Sequence, residues 1–242
     1  MLPVIVILFL ATLVRASLGF GEALIAVPLL ALIMPVEQAA PIAVLVSITI
    51  ALMILVKDWR KVRLRCAVWL IASTLCGIPA GLLLLKTVPE AGVKALLGGV
   101  IIAFSAYSFR NRGHYVLPDD RLAWLFGFHA GVLGGAYCMN GPPLAIYGSL
   151  RRWQPEDFRA TLQAYFLPAS LAGMGGYWLA GLWTPAVNHF YLASLPAVVL
   201  ATLCGRIIGS RLKPQRFTFY VYASLLAIGV VLVFQSMQLG AY

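Results

Sequence analysis

Apolar runs close to the length of a bilayer recur along this chain, and they narrow its folding options more than any other feature. The stretches Ala39 to Val56, Cys66 to Leu85, Gly92 to Phe109, Ala160 to Leu182, Val187 to Ile208 and Phe217 to Phe234 come near or reach the roughly 18 to 23 residues that a helix needs to span the hydrocarbon core. Backbone polar groups find no water there, so such runs are expected as helices that satisfy their own N–H and C=O groups. Of the 242 residues, 62% are hydrophobic and only 11% charged, where a soluble domain keeps about a quarter charged. The expected fold is an all-α polytopic membrane protein with no soluble domain.

Two further apolar blocks are broken in the middle. Gly19-Phe20-Gly21-Glu22 interrupts the block from Leu2 to Met34, just after Arg15, and leaves arms Leu2 to Val14 and Ala23 to Met34. Neither arm reaches spanning length at about 1.5 Å per residue, which predicts a re-entrant helical hairpin. Pro28 is expected to kink or weaken the second arm. In the other half, Gly134-Gly135-Ala136-Tyr137-Cys138-Met139-Asn140-Gly141-Pro142-Pro143 breaks the block that runs from Leu122 to about Leu150. Irregular backbone at membrane depth is tolerated where it is buried in protein or lines a cavity, and paired interruptions in two halves point to a transporter's binding site.

Each half then reads as one hairpin plus three spans, with residues 1–109 as the first repeat and 110–242 as the second. An odd number of spans inverts the second copy. Short matches support the duplication: Thr74-Leu75-Cys76-Gly77 with Gly81 resembles Thr202-Leu203-Cys204-Gly205 with Gly209, and Pro28-Leu29 pairs with Pro143-Leu144. Gly77/Gly81, Gly127/Gly131 and Gly205/Gly209 are spacings that allow close helix packing. The basic loop from Lys57 to Arg65, the loop with Arg110, Arg112 and Arg121, the pair Arg151 and Arg152, and the loop with Arg211, Lys213 and Arg216 belong inside by the positive-inside rule. Both termini then lie outside.

That placement also explains the net charge of +10 without nucleic acid, because the basic residues sit in short loops between spans. Cys66, Cys76, Cys138 and Cys204 form no C-x-x-C pair and have no metal-ligand spacing, so free buried thiols are expected and neither metal nor cofactor is called for. Met1 to Val14 resembles a signal-peptide core but lacks a positive leading region. It is expected to remain in the mature protein.

The polar residues at depth are the candidates for function. Asn140-Gly141-Pro142-Pro143 reads as a helix start, with Asn140 as cap and proline in the first turn. A helix N-terminus inside the membrane presents N–H groups and a positive dipole end to an anion. The matching start at Glu22 to Leu24 makes two half-helix N-termini between which an anion is expected to sit, or two turns that merely relieve packing. Arg15 costs at least about 2.5 kcal/mol if held at the bilayer centre, and a guanidinium suits oxyanions. Three roles fit it: anion binding, snorkelling to an interface, or a structural pair with Glu22. Glu22 alternatively carries a coupling proton, and His129 either faces the cavity or bonds a neighbouring helix. Gln163 belongs near the headgroups or at depth, Arg206 is expected to snorkel, and Tyr137, Tyr147 and Tyr165 fit either a cavity wall or an interface belt.

Gly19-Phe20-Gly21-Glu22-Ala23-Leu24-Ile25-Ala26-Val27-Pro28-Leu29-Leu30 resembles the N-terminal signature of the TauE/SafE sulfite-exporter family, and Gly134-Gly135 followed by Asn140-Gly141-Pro142-Pro143-Leu144 resembles its second-half counterpart. The resemblance covers essentially the whole chain. It implies a secondary transporter of the bacterial inner membrane for sulfite, organosulfonates or related sulfur-containing anions, often an exporter. Arg15, Gly19, Gly21, Gly134, Gly135, Asn140, Gly141 and Pro142 are the expected substrate residues, with Glu22 and His129 for proton coupling. Glu22 departs from the commoner glycine-rich form of the first motif, and an acid beside an anion site points to proton coupling or to a salt bridge with Arg15. The expected partners are a small anion, protons and the bilayer; a homodimer is left open. Two rivals stand beside this reading. One is an intramembrane lipid diphosphatase using Arg15, Ser17 and Glu22, and the other is a passive anion channel.

Overall fold

The computed structural model describes residues 1–31, 33–87, 90–111, 116–137, 140–179 and 181–239, and among them all regular structure is helical. The helices are α1 (Leu2–Leu18), α2 (Glu22–Ala31), α3 (Val36–Asp58), α4 (Leu64–Thr87), α5 (Glu90–Asn111), α6 (Ala123–Tyr137), α7 (Gly141–Leu150), α8 (Pro155–Leu179), α9 (Pro185–Arg211) and α10 (Pro214–Leu239), with a 3₁₀ turn at Trp59–Lys61 after α3. Four described stretches are long and apolar enough to cross a membrane: Gln38–Lys61, Leu64–Gly81, Pro185–Arg211 and Phe219–Gln238. The other two expected spans fall in α5 and α8, of 22 and 25 residues, whose charges gather near the helix ends at Glu90, Lys94 and Arg110 and at Glu156, Asp157 and Arg159. The two broken blocks appear as helix pairs, α1 with α2 and α6 with α7, each packed together.

Burial runs opposite to the pattern of a soluble protein. Val68, Trp69, Leu75, Leu192, Leu200 and Phe234 are exposed, whereas Arg15, Glu22, Ser47, Arg159 and Gln163 are buried. Lipid rewards an apolar outer surface, and polar groups must find partners inside. The chain is an all-α, multi-pass membrane protein. Pro41, Pro79, Pro168 and Pro196 lie inside helices α3, α4, α8 and α9, and α2 continues through Pro28. Membrane helices tolerate this where neighbouring groups satisfy the freed carbonyls.

The chain forms two compact units, each drawn from both sides of the 109/110 boundary. The first comprises residues 1–68 and 154–212, hence α1 to α3, α8 and α9. Its core joins Val4, Leu8 and Ala11 of α1 to Ala26 and Leu30 of α2 and to Ile42, Val46, Ile50 and Ile54 of α3. These are one-face helical spacings, so each helix turns a single apolar stripe inward. In this unit α9 lies along α1: a Cβ on Gly205 would stand 2.6 Å from the Ala16 Cβ, and one on Gly209 2.6 Å from the Ser17 carbonyl oxygen.

The second unit comprises residues 69–153 and 213–242, hence most of α4 with α5, α6, α7 and α10. Here α5 packs on α10, with Gly98 and Gly229 facing each other's backbone, and α4 packs on α6. A Cβ on Gly77 would meet the Phe128 carbonyl oxygen at 2.3 Å. The two matched Thr-Leu-Cys-Gly segments therefore do equivalent work. Each lays its glycine on the first helix of a hairpin, and that hairpin belongs to the opposite half of the sequence.

Candidate functional site

α1 extends one turn past the expected arm end at Val14 and stops at Gly19, which has φ 97° and returns its N–H to the Arg15 carbonyl at 2.6 Å. Gly21 has φ 98°. Two residues in this region, open to glycine at little cost, reverse the chain within three positions, and Glu22 opens α2 beside the last turn of α1. Arg15 and Ser17 are thus helical, where the sequence pattern ended the arm before them. Phe20, 1% exposed, plugs the turn against Phe158 in an edge-on ring contact of 6.4 Å.

Arg15 is buried and all five of its N–H donors are engaged. Nε and Nη2 donate to the Gln163 Oε1 at 3.0 and 2.8 Å. Nη1 donates to a Glu22 carboxylate oxygen and to the Ser47 hydroxyl at 2.6 Å, and Nη2 reaches the Ser47 carbonyl at 3.4 Å. The guanidinium also lies 4.8 Å from the centre of the Phe166 ring. Gln163 completes the frame by donating from Nε2 to the Gly19 carbonyl at 3.0 Å. Ser47 is the middle residue of α3, about 16 Å along the helix from either end, so the charge is held beside the midpoint of that helix and turned inward. Glu22 is 1% exposed, and its second oxygen, Oε1, has no hydrogen-bond partner among the described residues. Removing one member of such a buried pair typically costs about 3–5 kcal/mol.

Residues that the sequence singled out thus come together in the first unit: Arg15, Gly19, Gly21, Glu22 and Gln163. Ser47, Phe166, Ser170 and Arg159 were not singled out. Their signal was available in α8, where Arg159, Gln163, Phe166 and Ser170 follow the i, i+4, i+7, i+11 spacing of one helix face. Ser170 continues the polar stripe by sharing a 2.8 Å hydrogen bond with Ser47. Ser17, one of the three residues of the diphosphatase alternative, gives its hydroxyl to the Leu13 and Val14 carbonyls of its own helix. Arg206 pairs with Asp58, the last residue of α3, at 2.9 Å.

The remaining candidates lie in the second unit. α6 runs without a break through Gly134 and Gly135 to Tyr137, so these glycines belong to the helix and not to the turn; Cys138 and Met139 lie outside the described residues. Asn140 precedes α7 but makes no side-chain cap, and its backbone is already helical at φ −76° and ψ −18°. The reason is in the sequence: a cap accepts from the second or third helical N–H, and those positions are Pro142 and Pro143, which have none. The first turn of α7 therefore offers fewer N–H groups to an anion than the pattern suggested. Gly141 and Pro142 are buried. His129 is exposed and bonds through Nδ1 to the Leu125 carbonyl of its own helix at 2.8 Å, not to a neighbouring helix. Tyr147, fully buried, donates to Asp120 at 3.2 Å, and Asp120 pairs with Arg151 at 2.8 Å. Tyr165 is likewise fully buried, edge-on to Phe166.

At the basic end of the first unit Lys61 pairs with Glu156 at 2.5 Å and Arg63 with Asp157 at 2.6 Å. The hydrogen bond from Lys61 holds the Glu156 carboxyl, ahead of the apolar part of α8, below the usual carboxylate range.

Compared with known proteins, residues 4–232 match the family model described as sulfite exporter TauE/SafE. Neither a curated protein nor a solved structure matches the chain. The family match spans nearly all of a helical membrane chain with a charged residue pair at the tip of its first broken block, and the chain belongs to the TauE/SafE sulfite-exporter family.

Proposed function

We propose that this chain is a proton-coupled secondary transporter that carries sulfite, organosulfonates or related small sulfur-containing anions out across the bacterial inner membrane, with Arg15 as the anion-binding cation. Family membership supports anion export in general. The observation that carries the finer reading is the state of Arg15: every donor is taken, and an internal carboxylate stands where a substrate oxyanion would bind. Glu22 is then a tethered stand-in for substrate. Protonating it removes the competing charge and frees Nη1 for the anion; losing the proton restores the pair and expels the anion. Two negative charges do not share one buried cation cheaply, so anion and proton bind and cross together, and export runs on the anion's own outward gradient. This is coupling by linkage.

The arrangement suits a small oxyanion because Gln163 holds the guanidinium through Nε and Nη2 and leaves Nη1 to donate a charge-assisted hydrogen bond once Glu22 is neutral. Ser47 and Gln163 are neutral and stay as partners when the anion replaces Glu22. The Asn140, Gly141 and Pro142 turn belongs to the other compact unit, and its variants are read in the same assay.

The experiment is uptake of labelled sulfite and of a small sulfonate into proteoliposomes, with an imposed pH step. Saturable, gradient-driven flux is expected for the native chain. Arg15→Gln abolishes it, and Glu22→Gln keeps anion exchange but no longer responds to the pH step. Equal flux in Arg15→Gln and the native chain removes Arg15 from the site. Flux without saturation or counterflow returns the reading to a passive channel.

A further inference from the structure

Beyond the Arg15 site, α3, α8 and α9 enclose a recess of about 340 Å³ at the basic end of the same unit. Four cations face it, Lys57, Lys61, Arg159 and Arg206, against two carboxylates, Asp58 and Glu156. We infer that this recess is a second anion site, which takes a small sulfur oxyanion before it reaches Arg15. The inference rests on the anion-transport reading and adds where the substrate is captured.

Arg159 forms the floor. It is 7% exposed, and its Nη1 meets the carbonyl oxygens of Gly209 at 3.1 Å and Ser17 at 3.5 Å. Its stem packs on the turn of the first hairpin, because a Cβ on Gly19 would lie 3.2 Å from both its Cα and its Cγ. Ala16, the neighbour of Arg15, also lines the recess. One turn further along α8 stands Gln163, which touches both Arg15 and the Gly19 carbonyl. The recess thus ends against the turn that holds the Arg15 pair, and a single helix face leads from one guanidinium to the other.

The rim is built to exchange partners. Lys61 and Glu156 are 41% and 49% exposed, and ion pairs in that setting contribute little and are screened by salt. An arriving anion can take Lys61 from Glu156 at small cost, whereas Arg159 stays fixed by packing. The four cations of the recess outnumber its two carboxylates, and such an excess in a low-dielectric cleft raises the local concentration of the opposite ion. The chemistry recognised is an oxyanion of one or two charges. A lipid phosphate shares it, and the assignment here is the soluble anion, since the floor lies a helical turn from the transport site.

Sulfite titrated calorimetrically into protein purified in non-ionic detergent tests this. The native chain is expected to show two binding events, and Arg15→Gln to retain one. Adding Arg159→Gln weakens that remaining event by about tenfold or more. Lys57→Gln with Lys61→Gln leaves the carbonyls beside Arg159 capped and still weakens it about threefold, with a smaller salt dependence, so the test survives a folding defect in the Arg159 variant. A single event that Arg15→Gln alone abolishes would overturn the recess site and leave the transport reading standing. No sulfite binding by the native chain would remove both. Loss of the Arg15→Gln event on adding phosphatidylglycerol, with no sulfite competition in return, would assign the recess to lipid headgroups instead.

Discussion

Gly19 and Gly21 show how much one residue's surroundings matter. Both have φ near 97°, yet a Cβ at Gly19 also meets Arg159 at 3.2 Å, while one at Gly21 finds only a Val14 methyl at 3.8 Å. Gly21→Ala is therefore expected to cost about 1 kcal/mol, the strain of an unfavourable φ. Gly19→Ala adds displacement of the Arg159 stem and costs about 2–3 kcal/mol. Thermal unfolding in detergent reads the order, and equal losses would show that Arg159 yields freely. At Arg15 the relevant quantity is geometry more than charge. Arg15→Lys keeps the cation but replaces a planar fork by a point charge, so transport is expected to fall about tenfold or more although the pair with Glu22 can still form. Near-native transport in Arg15→Lys would reduce the site to a simple positive charge.

Among elements, the helix packing separates glycines that are needed from those that are not. A Cβ at Gly77 or Gly205 would come within 2.3 and 2.6 Å of a facing helix, whereas Gly173 has nothing within 4 Å. Gly77→Ala and Gly205→Ala are expected to destabilise by about 1–3 kcal/mol, and Gly173→Ala to be neutral or to stabilise by up to about 1 kcal/mol. Loss of stability in Gly173→Ala would mean that this face of α8 is covered in the membrane. The spans were legible because lipid-length apolar runs favour helices, the helix pairs because each broken block has arms too short to span, and Arg15 with Glu22 stood out because charges at such positions are rare. The partners of Arg15 were not legible. Ser47 is an ordinary small residue in an apolar helix, and Gln163 lies 148 positions from Arg15, a separation that no local pattern bridges. The failure of Asn140 as a cap is legible in principle, since Pro142 and Pro143 follow it and leave no N–H at the second and third helical positions. α6 could not have been ended correctly from its glycines alone, because Gly134 and Gly135 are as compatible with a packed membrane helix as with a turn.

For the molecule as a whole, orientation decides what the basic recess and the proton do. Lys57, Arg60, Lys61, Arg63 and Arg65 crowd the α3 to α4 connection, and Arg211, Lys213 and Arg216 the α9 to α10 connection, whereas Trp183 to Ala186 between α8 and α9 carries no charge. Retention of basic loops on the cytoplasmic side is expected to place the recess where an exporter would first meet its anion, and the Trp183 connection outside. In a cysteine-free background, Trp183→Cys is therefore expected to react with a membrane-impermeant maleimide on intact cells, and Lys213→Cys only after the membrane is opened. Both positions lie at or next to the ends of described helices, Trp183 just before α9 and Lys213 just before α10, so slow reaction through burial is not the expected confounder. Labelling of Lys213→Cys from outside would turn the recess toward the periplasm. The same four cations would then gather anions for import, the direction in which an inward proton gradient drives an anion that crosses with a proton.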